Sequence, residues 1–243
     1  MAGQMDPSRP DSNPDRAQSS ERGLLGVFRA LLVFAIVVLM AAGMVLFVPD
    51  LVDEVIYEQT PIETETPPAA GDRDPAVRHA EDPGNTTYEG DARVPSDHVE
   101  DFIHHEVNEI RAEHGLDPIV WDATIASVSR AHSADMAQRE YFAHENPDGE
   151  SPYDRFQTTG DYCERYGENI AQSWVDRNVQ SADGDVDRYA TAQEVASGLV
   201  EQWMNSPPHR EAILTEEWDR GGVGVYITDE GKVFATHNFC TER

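Results

Sequence analysis

Three short stretches of the chain carry side chains suited to proton transfer or to metal binding. His144 lies in "YFAHENPDG", Glu168 in "YGENIAQ" and His209 in "WMNSPPHREAIL". Imidazole nitrogens and carboxylate oxygens bind zinc, and both groups act as general acids and bases. Glu168 stands before an Asn-Ile-Ala run typical of an interior, where a carboxylate needs hydrogen bonds, an opposite charge or a metal. We therefore expect the fold to bring a partner to Glu168.

Other catalytic patterns are missing from the sequence. The stretch "HHEVNEIRAEH" has no histidine four residues after His105, so the paired ligands of a zinc-protease helix are absent. No Gly-x-Ser-x-Gly elbow is present, and Ser206 lies near His209 without an assignable third member of a triad. His132, on the inner face of a predicted helix, is expected to be a hydrogen-bonded core residue. The three stretches remain the strongest candidates.

Four helices and a β-hairpin are predicted to position these residues. The hairpin is "GVGVYITDEGKVFATHNFC", in which two apolar runs flank a turn. Helices around a small, mainly antiparallel sheet predict an α+β layered domain. His144 then falls at the end of the second helix and His209 just after the fourth. The predicted helix starts are Ser96 and Asp122 as caps, Ser151-Pro152, and a capping box of Thr191 and Glu194.

The composition is strongly acidic. Asp and Glu total 46 against 18 Lys and Arg, for a formal net charge of -28, and Lys232 is the only lysine. Phosphates are repelled by such a surface, so we expect no nucleic-acid partner. The acidic, lysine-poor composition is typical of halophile proteins, and ordinary acidic composition is the alternative.

An apolar segment predicts where the protein resides. Residues 24–48 contain the uncharged run Ala30–Val48, which is long enough to cross a bilayer as a helix. Arginines 9, 16, 22 and 29 precede it, and no basic residue follows until Arg73. We therefore expect a single-pass membrane protein with a cytoplasmic tail (1–23) and an extracellular C-terminal part.

The region after the anchor is predicted to be a disordered acidic and proline-rich linker over residues 49–95, followed by a folded domain over 96–243. Asn85-Thr86-Thr87 in this linker is an N-glycosylation acceptor. Two cysteines, Cys163 and Cys240, lie on the predicted oxidising side of the membrane. Their even number fits one disulfide, and two buried free thiols are the alternative.

The three stretches occur together, in this order, with "NEIRAEHGLDPIVWD" before them and "GGVGVYI" after them. In this arrangement they resemble the CAP superfamily, named from cysteine-rich secretory proteins, antigen 5 and pathogenesis-related proteins, in its short prokaryotic form. The resemblance spans about residues 98–240. It implies a three-layer α-β-α sandwich with a shallow cleft, where two histidines and glutamates converge and can hold a divalent metal, often zinc.

Carried over by motif, "FAH" matches His144, "GENI" matches Glu168 and "SPPHR" matches His209 as metal ligands. Two positions depart from the family pattern. Ser206 stands where animal and plant members carry a second glutamate, and Ala212 replaces the asparagine of the usual "HRxNIL". The sequence therefore predicts a three-residue site with an open position for zinc or another divalent cation.

Three functions follow from this interpretation. The resemblance favours a membrane-anchored, non-catalytic binding module that takes up a small molecule, a lipid or a protein in its cleft. The first alternative is a metal-assisted hydrolase of peptides or cell-envelope material, with Glu168 as general base. The second alternative is a structural envelope component.

Overall fold

The computed structural model describes residues 66–180, 184 and 186–243. The predicted tail (1–23) and the predicted anchor (24–48, with Ala30–Val48) lie outside these residues. Among the helices that are described, none combines the length and the apolar character needed to span a bilayer.

A four-stranded sheet in the order β3-β7-β8-β4 forms the centre of the described fold. The β3–β7 pair is parallel, and the β7–β8 and β8–β4 pairs are antiparallel. Two small two-stranded sheets, β1-β2 and β5-β6, lie outside it. The elements in chain order are β1 (Thr87–Glu89), β2 (Arg93–Pro95), α1 (Ser96–Glu113), β3 (Val120–Trp121), α2 (Ala123–Gln138), α3 (Pro152–Gln157), β4 (Cys163–Trp174), β5 (Asn178–Gln180), β6 (Val186–Arg188), α4 (Ala192–Asn205), α5 (Pro207–Ile213), β7 (Arg220–Ile227) and β8 (Lys232–Glu242).

Helices cover the central sheet in two layers. Helix α2 packs on β7 and β8, whereas α1 and α4 pack on each other and on β7 and β4. The main core joins the second group to the sheet through Val223 and Val225 of β7, Ile103 of α1 and Trp203 of α4, all fully buried. This arrangement confirms the α+β domain of helices and sheet expected from the sequence.

Two glycines in β7 allow α2 to approach the sheet closely. Gly222 and Gly224 alternate with Val223 and Val225, so the two glycines face one side of the sheet and the two valines the other. A Cβ atom at Gly222 would overlap the backbone of Ala126, and one at Gly224 would overlap the backbone of Arg130. The "GGVGV" pattern is therefore required by this helix–sheet contact.

The two cysteines form a disulfide, which confirms the prediction. Cys163 begins β4 and Cys240 lies in β8, with 5.5 Å between their Cα atoms, and both residues are fully buried. The bond closes a loop with a sequence separation of 77 residues. Such a loop corresponds to roughly 4 kcal/mol of stabilisation in the chain-entropy description.

Three of the four predicted helix starts are confirmed. The Asp122 side chain accepts from the backbone N–H groups of Thr124 and Ile125, and capping boxes open α3 at Ser151 and α4 at Thr191. Helix α1 differs from the prediction, because Ser96 is its first residue and not its cap; the capping position is Pro95, and no side chain caps the helix. Ser96 Oγ instead accepts from the backbone N–H of Thr86, 2.9 Å away.

The N-terminal part of the described chain differs from the linker predicted over 49–95. Residues 66–95 lie along α1 and α2 and include β1 and β2, so the prediction of disorder is wrong for them. Arg73 Nη1 lies 2.6 Å from Glu100 Oε2, the Trp121 indole N–H donates to the carbonyl of Asp72, and the backbone N–H of His79 donates to Ser127 Oγ. An acidic, proline-rich composition misled the prediction because folded partners satisfy these polar groups.

Asn85, the predicted glycosylation acceptor, is exposed on this segment. Its Nδ2 donates to Asp97 Oδ2 at 3.0 Å. Glycosylation of Asn85 stays a prediction.

Candidate functional site

Glu168 lies in the middle of β4, opposite Asn238 of β8. Its side chain is only 1% exposed, yet both carboxylate oxygens have partners. Arg155 Nη2 donates to Oε2 at 2.7 Å, and His144 Nδ1 lies 2.9 Å from Oε1. The charge of Arg155 and the imidazole of His144 therefore compensate for the cost of burying this carboxylate.

Arg155 connects the carboxylate to the loop that carries His144. It lies in α3 with its side chain 5% exposed, and its Nη1 donates to the backbone carbonyls of His144 at 2.9 Å and Glu150 at 3.0 Å. One guanidinium thus holds the position of both Glu168 and the His144 loop. Arg155 was not predicted from the sequence. The available signal was the counter-charge that a buried Glu168 requires, together with an arginine in the short capped helix "SPYDR".

The hydrogen bond to Glu168 defines which nitrogen of His144 faces outward. A carboxylate only accepts hydrogen bonds, so the proton is assigned to Nδ1, and Nε2 is left to meet a ligand. The His144 side chain is 49% exposed. The Glu168–His144 pair is the arrangement in which a carboxylate orients an imidazole toward a ligand.

His132 lies behind this pair, as predicted for a hydrogen-bonded core residue. Its side chain is fully buried, its Nε2 lies 3.1 Å from the carbonyl of Ala143, and the same nitrogen lies 3.8 Å from Glu168 Oε1. Burial lowers the pKa of His132 to about 4, although the negative charge of Glu168 acts in the opposite direction. His132 is therefore a neutral imidazole at neutral pH.

Aromatic rings form the wall next to Arg155. Tyr166 stacks on Phe156 with ring centroids 4.8 Å apart. Burial raises the pKa of Tyr166 well above its usual value, and Glu168 adds to this effect. Within the described part of the chain, neither the Tyr166 hydroxyl nor Arg155 Nε finds a hydrogen-bond partner.

His209 lies in the first turn of α5, a short helix that the sequence analysis did not predict, since it placed this residue just after the preceding helix. Asn169 Nδ2 donates to the backbone carbonyl of His209 at 2.9 Å and thereby connects α5 to β4. Burial lowers the pKa of His209, and the nearby His144 lowers it further. Both predicted histidines are therefore attached to consecutive residues of β4, His144 through Glu168 and His209 through Asn169.

The three predicted metal ligands do not form a closed site in this geometry. Nowhere in residues 66–180 or 186–243 do three His, Cys, Asp or Glu side chains group closely enough to hold an ion. Both oxygens of Glu168 are already engaged by Arg155 and His144. The donors that remain are the two imidazoles of His144 and His209.

A groove of about 530 Å³ opens beside His209. Strand β4 provides one side through Ile170 and Gln172, and α4 provides another through Gln202 and Trp203. The indole N–H of Trp203 donates to the carbonyl of Ile170 at 3.0 Å, which joins the two sides at the base. The volume lies within the range of small-ligand sites.

Over residues 104–241 the chain matches the family described as CAP, the cysteine-rich secretory protein family. Two proteins of Bacillus subtilis (strain 168) are similar to it. Uncharacterized protein YkwD is 30% identical over 166 residues, which cover 68% of this chain and 56% of YkwD. Uncharacterized membrane protein YlbC is 33% identical over 132 residues, which cover 54% of this chain and 31% of YlbC. The chain therefore spans roughly a third to just over half the length of these relatives.

Two solved structures are similar in fold. One is an extracellular protein containing an SCP domain from Bacillus anthracis str. Ames, with 31% identity and a TM-score of 0.47 over 60% of this chain and 41% of that chain. The other is an outer surface protein from Borrelia burgdorferi, with 16% identity and a TM-score of 0.51 over 66% of this chain and all of that chain. The second likeness concerns the fold alone.

Proposed function

The chain belongs to the CAP, or cysteine-rich secretory protein, family. From this premise we propose that it is a binding module, tethered to the membrane on its extracellular side. It binds a ligand beside His144 and His209 without converting it chemically. Glu168 serves in this proposal as the group that orients His144. The ligand meets Nε2 of His144, the imidazole of His209 and the adjacent groove.

The engagement of Glu168 is the observation that carries the non-catalytic interpretation. A general base must come within hydrogen-bonding distance of the proton that it removes. The Glu168 side chain is 1% exposed, and each of its oxygens already accepts a hydrogen bond or a charged partner. These contacts favour a positioning role for Glu168 over the general-base role that a hydrolase would need.

The proposed location rests on the sequence, on the disulfide and on a relative. The apolar run Ala30–Val48 with arginines before it favours an anchor whose N-terminus is cytoplasmic. The Cys163–Cys240 disulfide suits an oxidising compartment. The relative YlbC is described as a membrane protein.

The binding proposal is tested on the full chain by following the ring resonances of His144 and His209. Three classes of probe are titrated separately: a neutral tetrasaccharide, an uncharged tetrapeptide and dodecanoate. We expect one class to shift these resonances saturably, while mass spectrometry detects no product. Turnover of a probe by the parent protein and not by the Glu168→Gln variant would contradict the proposal, and so would the absence of a response to all three classes.

A divalent cation is the second candidate occupant of the cleft, at His144 and His209. His144 contributes to the lowered pKa of His209, which supports this candidate, and neutral imidazoles are good ligands for zinc. In a zinc titration by calorimetry we expect His144→Ala and His209→Ala each to abolish binding. Glu168→Gln should retain it, because Glu168 is not among the donors. Equal zinc affinity in the parent and in the variant with both histidines replaced by alanine would rule out a zinc site at His144 and His209.

A further inference from the structure

The groove beside His209 is neutral, although the protein is strongly acidic. The chain has a formal net charge of -28, with 46 Asp and Glu among 243 residues. None of the side chains that line the groove is Asp, Glu, Lys or Arg. A charged ligand finds no counter-ion there, and a polyanion is also repelled by the surrounding surface.

Side-chain amides take the place of charges in this groove. Gln172 and Asn205 are exposed and Gln202 is half-buried, so all three are accessible from the groove that they line. Each amide offers two N–H donors and a carbonyl acceptor. Ser206, where the family pattern has a glutamate, adds a neutral hydroxyl. This set matches a ligand whose groups both donate and accept hydrogen bonds, as sugar hydroxyls do.

An exposed aromatic ring completes the groove. Phe142 is 44% exposed, and within the described residues it is the one aromatic member of the exposed large hydrophobic side chains. Each of two neighbouring rings has one face covered by a cation, since Arg177 lies over Trp174 at 4.1 Å and Lys232 over Phe234 at 4.6 Å. The uncovered ring of Phe142 is a platform on which the apolar face of a sugar can pack.

The groove continues past Phe142. A second depression of about 490 Å³ shares Phe142 and Gln172 with the first and is lined further on by Tyr141 and Trp174. Unlike the first, it also carries charged side chains, those of Glu140, Glu230 and Lys232. An extended ligand that crosses Phe142 therefore contacts both depressions. A chain of linked rings suits this shape better than a single compact molecule does.

We propose that this groove binds a segment of a neutral glycan, with Phe142 packed against a sugar ring and with Gln172, Gln202 and Asn205 hydrogen-bonding to its hydroxyl groups. This inference rests on the proposed binding function and names its ligand class. Although Ile170, Ala171 and Val179 also line the groove, it is open to solvent and carries amides, so it does not provide the enclosed apolar surface that an acyl chain requires.

The test measures the affinity of the full chain for three uncharged tetrasaccharides: cellotetraose, maltotetraose and tetra-N-acetylchitotetraose. Tetragalacturonate serves as a charged probe of equal length, and the uncharged tetrapeptide and dodecanoate serve as probes of other classes. Phe142→Ala and Gln172→Ala remove groove contacts. Val120→Ala is the matched control, because Val120 is 60% exposed and does not line either depression.

We expect at least one neutral tetrasaccharide to bind and tetragalacturonate not to bind. Phe142→Ala should weaken binding about tenfold with an unchanged melting temperature, since the ring packs on the ligand more than on the protein. Gln172→Ala should weaken binding severalfold, and Val120→Ala should leave it unchanged. The affinity should not depend on ionic strength, because no charge pair forms.

Two results would overturn the glycan inference and leave the binding function standing. The first is saturable binding of the tetrapeptide or of dodecanoate in the groove without binding of any neutral tetrasaccharide. The second is tetrasaccharide binding that Phe142→Ala and Gln172→Ala leave unchanged. If no probe of any class shifts the His144 and His209 resonances, the binding function and the glycan inference fail together.

Discussion

At the scale of single residues, the ion pair between Glu168 and Arg155 determines the role of Glu168 in the site. A buried carboxylate beside two imidazoles suggests a catalytic base or a metal ligand when only the sequence is known. The guanidinium 2.7 Å from Oε2 changes its role, because the carboxylate is now fully paired and directs its other oxygen to His144 Nδ1. The same residues therefore hold an imidazole ready for a ligand.

Replacing Arg155 by Gln should destabilise the domain strongly. The change leaves Glu168 buried and without its counter-charge, and loss of one member of a buried ion pair costs about 3–5 kcal/mol. Denaturant unfolding of the parent and the variant measures this cost. Arg139→Gln is the control, because its partner Asp148 is 67% exposed and solvent screens the attraction between the two charges. Similar losses in the two variants would refute the role assigned to Arg155.

The buried histidines predict a loss of stability in mild acid. Burial lowers the pKa of His104 and of His132 from an ordinary value of 6.5 to about 4. Between these values the unfolded chain binds protons that the folded protein does not bind, so the free energy of unfolding falls as pH decreases from about 6.5 to about 4. Denaturant unfolding at several pH values follows this decrease.

A variant separates this effect from the titration of carboxylates. His132→Asn should reduce the slope of stability against pH in this window. His105→Asn should not reduce it, because the His105 side chain is 47% exposed. Identical slopes in the parent and both variants would show that His132 does not contribute to the acid sensitivity.

At the scale of elements, residues 66–95 act as part of the domain. Glu100 of α1 is fully buried and is paired both with Arg130 of α2 and with Arg73 of this segment. Asp82 of the segment, also with a fully buried side chain, accepts from Ser127 Oγ at 2.7 Å. The segment therefore neutralises polar groups of both helices.

Two truncations test this role. Removal of residues 1–65 keeps every contact between 66–95 and the helices, and we expect the melting temperature to stay the same. Removal of residues 1–95 deletes several partly buried hydrogen bonds and ion pairs and should lower the free energy of unfolding by about 3–5 kcal/mol. Equal stability of the two truncated proteins would show that residues 66–95 do not stabilise the domain and act only as a linker.

At the scale of the whole molecule, the large negative net charge is the feature that most affects how stability depends on salt. A formal net charge of -28 destabilises a compact state through self-repulsion, and dissolved salt screens that repulsion. We expect the melting temperature to rise markedly between about 0.1 M and about 2 M KCl. A protein that melts at the same temperature at both salt concentrations would count against adaptation to a saline environment.

Local signals in the sequence were sufficient for much of the fold. Capping residues such as Asp122, Ser151 and Thr191 act on N–H groups two or three positions away, so helix starts are readable along the chain. The β7–β8 hairpin was predictable for the same reason, because its turn lies between two apolar runs. The order of the stretches around His144, Glu168 and His209 was sufficient to indicate the family.

Only the tertiary structure determined which side chains of these stretches contact one another. The partner of Glu168, the docking of residues 66–95 and the neutral groove all depend on side chains that are distant in sequence and meet within about 3–4 Å. No local pattern encodes such distances. For the site and the groove they follow from how β4 packs against α3, α4 and α5, and for residues 66–95 from their contacts with α1 and α2. The sequence therefore determined which groups are available, and packing determined which of them are already paired and which are left to meet a ligand.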